Sequence, residues 1–518
     1  MTRVVLPTVA FDELLSAITI AGGAHQKIEV RAPYTGQVLA LLPACGVEDV
    51  GRAISLARNA QPAWAAASIA ERARVFIRFH DLLLNRQRDV LDIIQMETGK
   101  ARAHAFEEVL DTATVARYYA RRAERFLRTR RRKGAIPILT RTLEARVPVG
   151  VVGIISPWNF PLTLGITDAI PALLAGNTVG LKPDPQASFT ALWAVRLLRE
   201  CGLPPNVLSL MTGGPAAGQA LVEQADYVMF TGSDRAGRAI AVKSCERLIG
   251  CSLELGGKNP LIVLPGADLR AAVEGAVRAC FAGAGQVCVS VERLYVHRDV
   301  YDNFVSMLID RMKNIRLGAA FDYSMDVGSL TTEAQLSQVE AHVRDAVEQG
   351  AVVLAGGRRR PDLGPLFFEP TILSGVRPGM KAFDEETFGP VGAVYCVASE
   401  QEAIDAANAS KYGLSASVWT GNARRGERVA RAIRAGMVNV NEGYVAAWGS
   451  VDSPIGGMKE SGLTPRHGAE GILKYTQSQT IATQRLMPIA ASHGMTQEFF
   501  ARWMTRLLRI LRHTPWLG

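Results

Sequence analysis

Between residues 150 and 254, short β-branched runs alternate with longer stretches of helix-like spacing, and few folds accept that alternation. Residues 149–155, 178–181, 207–210 and 227–230 read as buried strands, and 188–201 and 215–224 read as the helices between them. Crossovers of this length bring consecutive strands in parallel, so a doubly wound parallel sheet is expected. Ligands of such sheets collect beyond the C-terminal strand ends, where the loops hold Pro157-Trp158-Asn159-Phe160-Pro161, Lys182-Pro183 and Thr231-Gly232-Ser233. A second alternation, from about 260 to 450, predicts a second α/β domain. The first 120 residues read as largely helical, with long apolar periodicities over 47–64 and 69–96. Segments 137–147 and 472–482 alternate apolar and polar residues like exposed strands, which suits pairing as an arm toward another subunit.

A chain of 518 residues has room for two or three domains, and 48% hydrophobic with 21% charged residues is the composition of an ordinary globular protein. The net charge of +9 comes mostly from one run, 121–133, with eight Lys/Arg against one Glu. That run lacks interleaved aromatic stacking residues, so it reads as a solvated helix end and linker, and no nucleic-acid partner is expected. The seven cysteines form no CxxC and no Cys/His ligand spacing, which excludes a metal site and a disulfide framework and fits a reducing compartment, the cytoplasm. No apolar run is long enough to span a membrane, and the N-terminus lacks a signal-peptide core. Residues 499–513 set Phe500, Trp503, Met504, Leu507, Leu508 and Leu511 against Arg502, Arg506, Arg509 and Arg512 at helical spacing. Two readings stay open there: peripheral contact with a membrane surface, or docking on protein.

Chemistry enters with Cys288, in Gly285-Gln286-Val287-Cys288, and Glu254, in Glu254-Leu255-Gly256-Gly257-Lys258-Asn259-Pro260. A thiol in a glycine-flanked turn and a carboxylate beside paired glycines suit covalent acyl chemistry, in which the thiol attacks a carbonyl and the carboxylate later activates water. Apolar Leu253 and Leu255 would desolvate Glu254 and raise its pKa toward the working range.

Taken with PWNFP (157–161), KP (182–183), FTGS (230–233), ETFGPV (386–391) and PIGGMKESG (454–462), these motifs resemble the aldehyde dehydrogenase superfamily over roughly residues 30–485. Within it the chain most resembles the actinobacterial NADP-type succinate-semialdehyde dehydrogenases, through SPWNFPLTL, LIGCSLELGGKNP and HGAEGILKYTQSQTIAT. The resemblance implies NADP- or NAD-dependent oxidation of a small-molecule aldehyde, succinate semialdehyde in the first instance. Cys288 is then the nucleophile, Glu254 the base and Asn159 an oxyanion donor. Lys182, Gly232, Ser233, Gly237, Glu386, Phe388, Trp158 and Leu255 would hold the cofactor. Homodimers or homotetramers are implied too. The domain division becomes 1–136 with 148–254 for the cofactor and 255–452 for catalysis. Residues 137–147 with 466–490 form the oligomerisation arm, and 491–518 the amphipathic tail.

Two departures carry information. Family members that strongly prefer NAD place Glu three residues after the lysine, where Pro185 stands here, so NADP is expected to be accepted, with Asp184 next door tempering this. Many succinate-semialdehyde dehydrogenases carry Arg at the position of Thr167, and Asp168 lies beside it. Either another Arg pairs the substrate carboxylate, or the aldehyde is an uncharged medium-chain or aromatic one. Rival readings are a CoA-acylating or phosphate-reducing relative, against which Glu254 speaks, and a non-enzymatic membrane-associated scaffold.

Overall fold

The strand at the centre of the first sheet, Val151–Ser156, is buried along nearly its whole length, as expected of a run of Val and Ile covered on both faces. It pairs in parallel with Thr178–Pro183 on one side and with Tyr227–Thr231 on the other. Leu208–Leu210 and Gly250–Glu254 extend the two flanks in parallel, and Gly462–Leu463 closes one edge antiparallel. The order of winding reverses between Val151–Ser156 and Tyr227–Thr231, which opens a crevice at their C-terminal ends. These coordinates are a computed structural model describing residues 5–136, 140–485, 488–492 and 494–513. Residues 137–139 and 486–487 of the expected arm, 493 and 514–518 of the expected tail, and 1–4 lie outside the described residues.

A second sheet of seven strands runs Val352–Ala355, Thr371–Ser374, Val391–Val397, Val291–His297, Asn259–Val263, Ser415–Trp419 and Met437–Val440, parallel except for its first pair. Only residues 255–258 separate the last parallel strand of the first sheet from Asn259–Val263, an interior strand of the second. The ELGGK turn therefore carries Glu254 to the boundary between the two sheets. Thr140–Pro148 and Thr476–Gln484 pair antiparallel over nine residues, 328 or more positions apart in sequence, and Arg130–Arg132 adds a third strand. So part of the basic run is neither helix end nor linker: Glu144 draws Arg132 into an ion pair and the ladder holds the rest.

Two other local expectations need correction. The periodicity over 69–96 belongs to two helices, Ile69–Asn85 and Gln87–Thr98, and the break at Arg86 is hidden because Phe79, Leu83, Val90 and Ile94 continue one buried stripe. The first 120 residues also hold a two-stranded ribbon, Lys27–Arg31 with Val38–Pro43. The tail does form a helix, Gln497–Leu511. Phe500, Met504 and Leu507 are half-buried there, while Phe499, Trp503, Leu508 and Ile510 stand exposed, so this chain covers its apolar face only in part. No helix among the described residues is long and apolar enough to cross a membrane.

Candidate active site

Cys288 lies in the turn between the short helix Ala282–Gly285 and strand Val291–His297. Gly285 makes that turn feasible: its φ is +71°, and a β-carbon there would stand 2.0 Å from the Gly389 carbonyl oxygen. Asn259 clamps the far side, its Nδ2 donating to the carbonyls of Cys288 (2.8 Å) and Ser290 (2.7 Å). Gln286 accepts from the Thr331 N–H at 3.0 Å through Oε1 and donates to Gly283 through Nε2. The nucleophile turn is thus fixed by side chains on both flanks before any ligand arrives.

Asn159 comes from the loop after the central strand. It is 5% exposed, and its Nδ2 donates to the Gln286 carbonyl at 2.9 Å. A side-chain amide has two N–H donors, so one is left for the cavity. Its own backbone is anchored by Lys100, whose Nζ donates to the Asn159 carbonyl (2.5 Å) and to Glu108 (2.7 Å). Glu108 in turn accepts the free Leu162 and Thr163 N–H groups at the start of helix Pro161–Ile166. Asn159 and Cys288 both line one cavity of about 290 Å³, together with Phe160, Val287, Val289, Tyr444 and Trp448.

Glu254 ends the strand Gly250–Glu254 and is 7% exposed. Burial pushes its carboxyl up to about 7, against the pull of Arg466 and Lys474. Burial likewise pushes the Cys288 thiol up to about 12, with the charges of Glu254 and Glu386 adding to it, so Glu254 lies close enough to be felt at sulfur. Arg466 is buried, paired with Asp168, and its Nε stands 3.9 Å from Glu254 Oε1. Lys474 sits 3.7 Å from Asp168.

The expected cofactor residues gather on the crevice side. Lys182 is buried near the end of Thr178–Pro183, and burial lowers its pKa. Ser233 caps helix Asp234–Glu246 by accepting from the Ala236 N–H. Gly237, one turn in, leaves room for Leu255: a β-carbon there would meet Leu255 Cδ2 at 2.4 Å. Gly232 donates from its backbone to the Glu254 carbonyl at 3.1 Å. Glu386 Oε1 accepts from the Gly257 N–H at 2.8 Å, and a β-carbon at Gly256 would stand 2.4 Å from Glu386 Oε2, so both glycines of the ELGGK turn are shaped around this carboxylate. Phe388, at φ +52°, meets Trp158 edge-on with ring centroids 5.6 Å apart. A helix N-terminus, a lysine and a carboxylate around one crevice fit a dinucleotide with its pyrophosphate and ribose hydroxyls. Asp184 spends one oxygen on capping the turn that Pro185 opens, accepting from the Gln186 N–H at 3.0 Å.

A profile of the aldehyde dehydrogenase family matches residues 20–481. The chain belongs to the aldehyde dehydrogenase family. It is 46% identical over 507 residues, 98% of each chain, to a Mycolicibacterium smegmatis protein provisionally named succinate-semialdehyde dehydrogenase [NADP(+)]. The fold matches the crystal structure of succinate-semialdehyde dehydrogenase from Burkholderia pseudomallei with a TM-score of 0.85 at 34% identity, over 89% of this chain and 95% of that one. It matches the NAD+ complex of an aldehyde dehydrogenase from Bacillus cereus with a TM-score of 0.86 at 32% identity, over 92% and 99%.

Sequence reading alone did not single out Arg466, Lys474, Lys100, Glu108, Glu107 or Asp111 in this aldehyde dehydrogenase. Glu108 and Asp111 did leave a trace. They fall on the buried face of helix Arg102–Leu127, among Ala105, Val109, Thr112 and Val115, where isolated carboxylates demand partners. Thr167, at the position where an arginine was sought, donates its hydroxyl to the Thr163 carbonyl one turn back and is absent from the cavity wall.

Proposed function

We propose that this aldehyde dehydrogenase oxidises an aldehyde to the carboxylic acid with NADP or NAD, through a covalent adduct on Cys288. The Cys288 thiol gives its proton to the Glu254 carboxylate, directly or through water, as Sγ attacks the aldehyde carbon, and Glu254 sheds that proton to solvent before it acts again. The oxygen that gains negative charge is met by the free N–H of Asn159 and the backbone N–H of Cys288. When bound, the cofactor supplies the hydride acceptor. Cys288 then carries a thioester, Glu254 takes a proton from water, the hydroxide oxygen adds to the thioester carbon, and the acid leaves as the thiolate returns. Lys182 and Glu386 would hold the cofactor's hydroxyls and Ser233 with Gly232 its pyrophosphate, while Phe388, Trp158, Gly237 and Leu255 shape the crevice. One observation carries this reading: Asn159 and Cys288 share one cavity. An assay of NAD(P)H formation with an aldehyde panel, each cofactor tested separately, checks it; no reduction of either cofactor with any aldehyde would contradict it.

Succinate semialdehyde, in the names of the relatives, is the first substrate to assay. A second reading is favoured by a specific feature: among the described residues the cavity wall holds no Lys or Arg, so an uncharged aldehyde avoids leaving a carboxylate unpaired. Assembly as a dimer or tetramer through the arm is supported by the exposed Val147 and Ile481 on its paired strands. A cytoplasmic site is supported by seven free cysteines.

A further inference from the structure

The wall of the catalytic cavity is apolar and aromatic except at one end. Leu110, Phe160, Leu164, Val287, Val289, Tyr444, Val445 and Trp448 form most of it, and Glu107 and Asp111 bring two carboxylates from consecutive turns of one helix. Asp111 is 9% exposed; Oδ1 accepts from Trp448 Nε1 at 3.0 Å, and Oδ2 is buried with no hydrogen-bond partner among the described residues. Glu107 accepts the Tyr444 hydroxyl at 2.9 Å and keeps lone pairs to spare. A buried carboxylate oxygen without a donor is destabilising, and it persists where a ligand supplies the donor.

The cations nearest this end are all committed elsewhere. Lys100 pairs with Glu108, Arg278 with Glu442 and Arg466 with Asp168. Arg466 Nε, which has no hydrogen-bond partner among the described residues, faces Glu254, and Arg466 is not part of the wall. The wall therefore offers a substrate two carboxyl groups that burial holds toward the neutral form and that an approaching cation would ionise, beside the rings of Tyr444 and Trp448. The Arg466 guanidinium already lies over the Trp448 ring, 5.5 Å from its centroid, so it is the charge-assisted hydrogen bonds to the two carboxylates that favour an ammonium group. An anionic end would meet like charge instead.

We propose that this cavity takes an amino aldehyde, its protonated amine donating to Asp111 Oδ2 and Glu107 while its aldehyde carbon reaches Cys288. The inference rests on the aldehyde-oxidation reading and sharpens its substrate class. The test is kcat/KM for 3-aminopropanal, for its uncharged isostere butanal, and for succinate semialdehyde, on the full chain with each cofactor. The expected order puts 3-aminopropanal ahead of butanal by roughly tenfold or more, the worth of one charge-assisted hydrogen bond, and succinate semialdehyde last. In Asp111→Asn, and again in Glu107→Gln, the ratio of 3-aminopropanal to butanal should fall by roughly tenfold. Because that readout is a ratio within one variant, partial loss of folded enzyme does not imitate it. Butanal or succinate semialdehyde ahead of 3-aminopropanal in the unaltered enzyme, or an unchanged ratio in both variants, overturns the assignment. Oxidation of none of the three while other aldehydes are oxidised overturns this proposal alone; oxidation of no aldehyde at all overturns the aldehyde-oxidation reading, and this proposal with it.

Discussion

Arg466 Nε stands 3.9 Å from Glu254 Oε1, and neither atom has a hydrogen-bond partner among the described residues. The guanidinium is held back by its pairing with Asp168, which Lys474 also approaches at 3.7 Å. Three buried charges, Arg466, Lys474 and Asp168, thus surround the proposed base. Arg466 lies near enough to draw Glu254 toward ionisation, yet Asp168 keeps it from closing a direct pair that would take the carboxylate out of use.

That arrangement predicts a stability effect as well as a kinetic one. Arg466→Met should destabilise the enzyme by about 1–3 kcal/mol, because Asp168 loses its direct guanidinium partner and keeps only Lys474, 3.7 Å away. The double variant Arg466→Met with Asp168→Asn should recover most of the loss, as paired residues are not additive. Denaturant unfolding of the three proteins checks this; equal losses in single and double variants would contradict the pairing.

Glu254 must be ionised to accept a proton, and its carboxyl is pushed by burial up to about 7. Below that pH the acid form dominates and deacylation should slow about tenfold per pH unit; above it the rate should level. Arg466→Met removes a cation that lowers the value, so its limb should move to higher pH. Single-turnover deacylation measured from pH 5.5 to 9 reads both. A flat profile across pH 6–8 would exclude Glu254 as the titrating base.

Asn159→Ala should reduce kcat by about 10²–10³ through loss of one oxyanion donor. Cofactor affinity, followed by quenching of protein fluorescence, should change little, since Asn159 lines the substrate cavity. A loss confined to KM with kcat preserved would place Asn159 in ground-state binding alone.

NADP should be used at least comparably with NAD, because Pro185 stands where a ribose-gripping carboxylate would sit and Asp184 is occupied with capping the turn. Pro185→Glu should depress kcat/KM for NADP more than for NAD, by repulsion of the 2′-phosphate. A wild-type preference for NAD of about a hundredfold or more would contradict the argument.

The parallel sheet around Val151–Ser156 was readable because strands covered on both faces must be apolar throughout, and that leaves a local mark. Cys288, Glu254 and Asn159 stood out as candidates for a related reason: each sits in or beside a turn with glycine or proline constraints spelled out within a few residues. Arg466 and Asp168 were not, since they lie 298 positions apart and only the closed fold makes them partners. Asp111 looks like any polar helix residue until Trp448 and the cavity are placed against it. The break at Arg86 left no mark either, because the apolar stripe runs through it unbroken.

The central claim, that Cys288 carries a thioester which Glu254 hydrolyses, is tested most directly by rapid mixing of Glu254→Gln with an oxidised aldehyde substrate and saturating NADP. The expected result is a burst of about one NADPH per subunit, then a steady rate lower by about two orders of magnitude or more, with a Cys288→Ala control giving no burst. Steady turnover of Glu254→Gln near the unaltered rate would contradict it.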